Sequence, residues 1–586
     1  MGNMNDGNNP KTNGIIIGID FGTSGLCFAY GYFNDNGKKE YHMGHFNDQG
    51  HYNKIKNEII LDDKLQNVLS FGNGCKSFLC TKHDFKFHHF KNIKMNLYSN
   101  LDTIKAINSG KEVDIVHIIT LILIETKKKA IEQIRLSFPD LDEKKFHFVI
   151  TVPAIWDLKS KNKMFKAAKN AGLIGNNDET SNFFALEPEA ASIYFSSDNH
   201  DKMFYQQIIK DTKEKSFILC DYGSGTVDIV TQKKIFENNE FKFEELYPPV
   251  GDNLGANKIN EYFIERVIKP LFGEENYEQI RRDLYESEDY ELWVNFENAI
   301  ENFKTNFNNK TEQLNKPYEI DCEFFKILNL DIDERISSFN SKNKWKLSNS
   351  KFNKFKIKFP FQIIYDFMHE LISQVIELIL PITETVKDLD TIIFTGGATK
   401  NRVILEIFEN SYLKNFHTIR SSNPEVAIGI GSVLFSLSQN IITSRKAKYS
   451  FGIKVSVKWN DSLHSSGGEK SDDGLDCRNI FSKFITKGES LRSDEVIEKN
   501  YYMKSSIATI LLYRTKEENV VFCDEKDEHN SLKVWNFGKY EINVGKDFDF
   551  NARKIKIRMK FGGTYIASEA IYCKTNKKVE SKFLFE

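Results

Sequence analysis

Two apolar runs about two hundred residues apart, Ile17-Gly18-Ile19 and Ile218-Leu219-Cys220, each stop at an aspartate, Asp20 and Asp221. Continuous apolar runs bounded by small residues predict strands buried on both faces. After each aspartate comes a turn of small, hydroxylated residues: Gly22-Thr23-Ser24-Gly25 in the first, Gly223-Ser224-Gly225-Thr226 in the second. The chain resumes after the first turn as Leu26-Cys27-Phe28-Ala29-Tyr30-Gly31-Tyr32-Phe33, which predicts a strand hairpin over residues 15–33. Further strands are predicted at Phe146 to Val152, closed by Pro153, and at Phe184 to Leu186, which leads through Glu187 into a helix with Pro188 in its first turn. Asp390 to Thr395 is another, ending on Gly396-Gly397 at the start of a helix. The apolar period lengthens to a helical one from Val113 to about Leu136, from Lys159 to Ala171 with Gly172 as the C′ residue, and from Gln362 to Leu380. From Tyr449 onward it shortens to alternation, as in Ile555-Lys556-Ile557-Arg558-Met559-Lys560, which predicts an all-β region beyond a boundary near residue 445.

The repeated strand, aspartate and turn carry the chemistry. Glycine admits positive φ, so Gly22, Gly25, Gly223 and Gly225 are expected to let backbone N–H groups approach an anionic oxygen closely. Thr23, Ser24 and Thr226 add hydroxyl donors. One such turn alone is compatible with an ordinary glycine-rich hairpin; two with matched aspartates point to a duplicated phosphate clamp. Asp20 and Asp221 would repel a bare polyphosphate, so a cation is called for, with Mg²⁺ and its water shell the best fit. Neither turn is a G-x-G-x-x-G or a G-x-x-x-x-G-K-[ST] loop.

Composition narrows the rest. A chain of 586 residues that is 40% hydrophobic and 28% charged is globular and long enough for three or four domains. Its 80 basic and 82 acidic residues leave a formal charge of −2, which gives no footprint for nucleic acid or an anionic membrane. Eight scattered cysteines without a C-x-x-C pair indicate neither a zinc site nor a disulfide framework, and fit reduced thiols in the cytoplasm. Residues 1–14, rich in Asn and Gly, are expected to be a disordered tail, and Asp6 argues against myristoylation at Gly2. No apolar run approaches the roughly 20 residues that span a bilayer.

The ordered set of first clamp, Thr151-Val152-Pro153-Ala154, Leu186-Glu187-Pro188-Glu189-Ala190-Ala191, second clamp and Thr395-Gly396-Gly397-Ala398 resembles the ATPase domain of the 70-kDa heat-shock proteins, in the superfamily of actin and sugar kinases. Lys448-Tyr449-Ser450-Phe451-Gly452-Ile453, Phe484-Ile485-Thr486-Lys487-Gly488 and Phe561-Gly562-Gly563-Thr564 resemble the twelve-type branch of that family. The resemblance implies an α/β fold: a two-lobed actin-like ATPase domain with duplicated ribonuclease-H-like lobes, followed by a smaller, mostly β C-terminal domain. Lobe I would span residues 15–210, lobe II 211–420, and a return to lobe I with the linker 421–445. Residues 446–586 would resemble a truncated substrate-binding domain.

The resemblance also implies roles. Gly22, Thr23 and Ser24 from one lobe, and Gly223, Ser224, Gly225 and Thr226 from the other, would hold the phosphates of ATP or ADP. Asp20, Glu187 and Asp221 would hold hydrated Mg²⁺ and orient the attacking water, and Lys94 would sit beside the γ-phosphate. Glu301, Lys304, Gly396, Gly397, Ala398 and Glu425 would hold adenosine. Phosphoryl transfer to water needs positioning and charge neutralisation more than a covalent nucleophile, which suits this set. Several positions depart from the family pattern: Gly25 replaces a larger residue, Ser224 interrupts a glycine triplet, and Thr305 and Lys400 each replace an arginine. Ile441 to Lys446 replaces a leucine-rich acidic linker, and Phe583-Leu584-Phe585-Glu586 leaves no length for a helical lid, so a full peptide-clamping cycle is not expected. The reading is a slowly hydrolysing ATPase that couples nucleotide state to a protein client or regulatory partner through its β domain, with co-chaperones or exchange factors. Its alternatives are an ATP-binding scaffold with little turnover and a small-molecule kinase on the same fold.

Overall fold

The computed structural model describes residues 14–46, 53–81, 85–174, 183–196, 214–237, 240–285, 287, 289–314, 316–411, 413–421, 424, 426–438, 441–492, 495–561 and 565–584. The expected N-terminal tail lies outside these apart from Gly14, as do Glu425 and Gly562 to Thr564.

Two sheets repeat one topology. In the first, Phe184–Leu186, Phe146–Val152 and Ile15–Phe21 run parallel in that spatial order, and Gly25–Phe33 and Lys39–Met43 extend the sheet antiparallel. In the second, His417–Arg420, Leu389–Thr395 and Lys215–Tyr222 run parallel, and Val227–Glu237 and Glu240–Asp252 extend it antiparallel. Both aspartate-bearing strands are therefore central in their sheets and meet the same kind of hairpin. The fold is that of a two-lobed actin-like ATPase with a β-rich C-terminal region.

The predicted helices form with small shifts at their ends. Ile115–Ser137 starts where the Asp114 side chain accepts a hydrogen bond from Val116 N–H at 2.8 Å, satisfying one of the free donors of the first turn. Leu158–Asn170 ends with Gly172 at φ +67°, the left-handed geometry that suits a C′ glycine. Gln362–Thr385 runs past Leu380 because its apolar stripe continues to the buried Ile382, with Pro381 held inside the helix.

Two later segments join what the sequence separates. Helix Ala427–Leu437 lies on Glu187–Ser196, and the fit is close enough that a Cβ on Gly431 would stand 1.9 Å from the Ala190 carbonyl oxygen. Ile442–Lys446, in the segment read as a linker, is a strand of the second sheet, parallel to Glu240–Asp252 and antiparallel to Ser490–Arg492 of the β region. Its Arg445 guanidinium donates to both carboxylate oxygens of Glu189, at 2.7 and 2.9 Å, with both side chains buried. Lys446 N–H donates to Glu245, whose carboxyl burial pushes up to about 8.

The C-terminal region stacks two four-stranded antiparallel sheets, Asp476–Ile485, Ser450–Lys458, Ile507–Thr515 and Val534–Asn543 in one, Val496–Tyr502, Lys554–Lys560, Tyr565–Tyr572 and Lys577–Leu584 in the other. Alternation sets its core: Ile555, Ile557 and Met559 point inward while Lys554 and Lys560 are exposed. A short helix, Asp461–His464, interrupts the all-β pattern. No described helix is long and apolar enough to cross a membrane.

Candidate functional site

A cavity of about 630 Å³ opens between the two lobes, and the two clamps form its floor from opposite sides. Of the residues singled out in the sequence, Asp20, Gly22, Thr23, Ser24, Lys94, Glu187, Asp221, Gly223, Ser224, Gly225 and Thr226 all line it. So do Glu301, Lys304, Gly396, Gly397 and Ala398, together with the departures Thr305 and Lys400. Glu425 falls outside the described residues.

The glycines of the clamps serve for a different reason than their conformational freedom. None of Gly22, Gly25, Gly223 and Gly225 has a positive φ; their use is space. A Cβ on Gly22 would stand 2.4 Å from the Gly25 carbonyl oxygen, and one on Gly225 would stand 2.3 Å from Thr23 Oγ1 of the opposite lobe. The two turns thus touch at Gly225, where a side chain would press on Thr23 across the cleft, whereas the Gly22 clash lies within the first turn itself. Gly396 is the case where both reasons apply: its φ is +87°, and a Cβ would lie 2.4 Å from the Tyr222 carbonyl and 2.5 Å from Asp221 Oδ1. Backbone hydrogen bonds fix the second turn, with Ala256 N–H to Gly223 O at 3.1 Å and Asn257 N–H to Ser224 O at 2.8 Å.

Buried charge dominates the chemistry. Lys94, held on the short helix Ile93–Tyr98, donates to Glu187 Oε1 at 2.5 Å, and both side chains are buried. Lys54 Nζ lies 3.1 Å from Asp20 Oδ2. Asp228 faces Asp221 across the hairpin register and is 1% exposed. The four carboxylates Asp20, Glu187, Asp221 and Asp228 therefore meet two ammonium groups, an excess of two negative charges when all are ionised. Burial, then the neighbouring Asp228 and Asp20, pushes the Asp221 carboxyl up to about 7. Burial also raises Glu187, against the pull of Lys94. Asp221 Oδ1 is buried without a hydrogen-bond partner among the described residues. An orphaned carboxylate oxygen in a site with this charge excess is what a hydrated divalent cation fits.

A pH dependence follows. A carboxyl whose folded pKa is raised holds a proton that the unfolded chain has already released, so stability is lost as pH rises. For Asp221 that window runs from its ordinary 3.8 to about 7. The thermal unfolding midpoint of metal-free, nucleotide-free protein is expected to fall across this window, and the raised carboxyls of Glu187 and Glu245 extend the fall to about pH 8. Asp221→Asn should flatten the fall; an unchanged slope in that variant would refute the assignment.

Sequence reasoning missed Lys54, Asp228, Asn257 and Asn308. Asn257, at the start of helix Asn257–Phe263, and Asn308, in an irregular segment, line the cavity from stretches with no motif. Asp228 closes the strand-turn-strand repeat and was legible as its last acid; Lys54 had no local signal, because only sheet pairing brings its strand to the first clamp. The lips of the cleft meet as well: Lys91 Nζ of lobe I lies 3.3 Å from Glu297 of lobe II and 3.7 Å from Glu58. Glu58, Cys75 and His89 there bring ligand atoms within 4.8 Å of one another, a grouping that the cysteine spacing does not announce.

Known proteins align with this chain over nearly its whole length. Heat shock 70 kDa protein 12A of Mus musculus and its Homo sapiens counterpart are each 24% identical over 640 aligned positions, covering 97% of this chain and 90% of the relative. Heat shock 70 kDa protein 12B of Homo sapiens is 22% identical over 650, covering 97% and 91%. The chain is a divergent relative of the twelve-type 70-kDa heat-shock proteins. A family model described as a domain of unknown function (DUF8340) matches residues 210–388, a stretch that holds the second clamp and the Glu301 helix. The heat-shock kinship thus extends over both lobes and the β region, beyond the part that model covers.

Proposed function

We propose that this protein binds Mg²⁺-ATP and ADP between its lobes, hydrolyses ATP slowly, and couples the nucleotide state to a protein partner held by the β region. The observation that carries the reading is the convergence of both clamps, the three buried carboxylates Asp20, Glu187 and Asp221, and the orphaned Asp221 Oδ1 on one interlobe cavity. Asp20, Glu187 and Asp221 would hold the hydrated cation. When bound, Mg²⁺ supplies charge neutralisation for the phosphates.

The chain's own residues do the rest. Thr23 and Thr226, both buried, present hydroxyls from opposite lobes, so phosphate binding joins the two sheets. Lys94 brings an ammonium whose approach is fixed by Glu187, and Glu187, buried and raised in pKa, is suited to accept a proton from an attacking water. Lys304 donates to Glu301 at 2.7 Å and to the Ala256 carbonyl at 3.3 Å, which orders the wall assigned to adenosine. Coupling to the β region would run along helix Glu187–Ser196, because Glu187 faces the cavity while Glu189, two residues on, grips Arg445 of the strand that pairs with Ser490–Arg492.

Mg²⁺-ATP is expected to raise the thermal midpoint of the protein, and Asp221→Ala to weaken nucleotide binding by about tenfold or more. Calorimetric titration that finds no nucleotide binding to the parent protein would reject the proposal. Phosphate release with ATP alone, with unfolded peptide and with a sugar panel separates the functions: stabilisation without release supports a scaffold, and sugar-dependent ADP formation supports a kinase.

A further inference from the structure

Gly25, the residue out of keeping with the family pattern, and Lys54, a residue in no motif, are two halves of one feature. Lys54–Lys56 pairs antiparallel with the start of Gly25–Phe33, with Cys27 opposite Lys54 and Gly25 opposite Lys56. The Lys54 side chain runs back over Gly25, so that a Cβ there would stand 2.7, 2.8 and 3.1 Å from its Cε, Cγ and Cδ. Its ammonium ends 3.1 Å from Asp20 Oδ2 and 3.5 Å from where a Cβ on Gly22 would be. The side chain keeps 33% exposure and lines the cavity, whereas Asp20 beneath it is 2% exposed.

We propose that Lys54 is a phosphate-binding residue of the first clamp, a tethered ammonium seated in the room left by Gly25, which neutralises Asp20 and lowers the dependence of nucleotide binding on a divalent cation. The inference rests on the nucleotide reading above. A phosphate entering the first turn meets Asp20, and its repulsion must be offset by a positive charge. Lys54 supplies that charge on the polypeptide. An ammonium has three N–H donors; with one engaged by Asp20, the others can serve a phosphate oxygen on the cavity side. A bulkier residue at position 25 would take the path of the lysine stem.

The test is nucleotide affinity, read by calorimetric titration of ADP and ATP with excess Mg²⁺ and again with EDTA. A charge-assisted contact of this kind is worth about ten- to a hundredfold in affinity. The parent protein is expected to lose less than about tenfold on removal of Mg²⁺, whereas Lys54→Met loses a further tenfold or more in EDTA and about threefold or less in Mg²⁺. Lys54→Arg should recover most of the EDTA affinity. Gly25→Ala, which leaves the lysine in place but obstructs its stem, should reproduce the Lys54→Met pattern independently of any folding defect in that variant. Equal affinities of parent and Lys54→Met in EDTA, or a parent that binds in Mg²⁺ but loses binding in EDTA as fully as Lys54→Met, would overturn the proposal while leaving the nucleotide reading standing. A parent that binds no nucleotide in either buffer would remove both.

Discussion

Lys94→Met is expected to lower steady-state phosphate release by about 10²–10³-fold while leaving ADP affinity within about threefold, the pattern of a group that acts in the transition state. The magnitude follows from position. Lys94 lines the cavity, is 3% exposed, and is aimed by its hydrogen bond to Glu187, so its charge acts where water screens it little. Methionine keeps the length and apolar volume of the stem, which separates the charge from the packing. The substitution also leaves Glu187 buried without its partner, so Glu187 should hold a proton to higher pH. Release that is pH-shifted as well as slow would carry that mark. Parent-level release in Lys94→Met would show that the ammonium has no part in turnover.

Breaking the Glu189–Arg445 pair is the second large effect. Glu189→Ala removes both carboxylate oxygens to which the buried Arg445 guanidinium donates, and removing one partner of a buried pair costs about 3–5 kcal/mol. The cost should be local, because Arg445 lies in the five-residue strand Ile442–Lys446 that bridges Glu240–Asp252 and Ser490–Arg492. Hydrogen exchange of the Ile442–Lys446 amides is therefore the readout, with protection falling by two or more orders of magnitude, about what the lost free energy dictates. The double variant Glu189→Leu with Arg445→Met should regain much of the protection, since apolar replacement removes the buried guanidinium along with the carboxylate. Protection in Glu189→Ala equal to that of the parent would mean that the strand is held by its backbone pairing alone. Loss of protection together with an unchanged response of the β region to nucleotide would place the coupling elsewhere.

Local pattern carried much of this protein. The strand, aspartate and turn written twice were legible because a doubly buried strand must be continuously apolar, and because a turn that contacts its surroundings through backbone must be small. Periodicity found Ile115–Ser137 and Gln362–Thr385 nearly to their ends, and alternation found the inward row of Ile555, Ile557 and Met559. The boundaries slipped where tertiary burial, not propensity, decided them, as at Ile382.

What depended on distant pairing was not legible. The clamp glycines were expected to matter for backbone freedom; they matter because Thr23, Lys54 and a carbonyl occupy the space of their missing side chains, which only the packed lobes reveal. Ile442–Lys446 reads as a linker by its place in the family resemblance, and becomes a strand because two sheet edges offer it partners. The sequence by itself determined the two aspartate-bearing turns, the helices around them and the β character of the C-terminal region, since each follows from residues that are neighbours in the chain. The tertiary structure alone decided that both turns share one cavity, that Lys54 fills the place left by Gly25, and that Glu189 holds Arg445. Each of these joins residues far apart in sequence, and the energy of such contacts lies in burial and charge pairing that no local window contains.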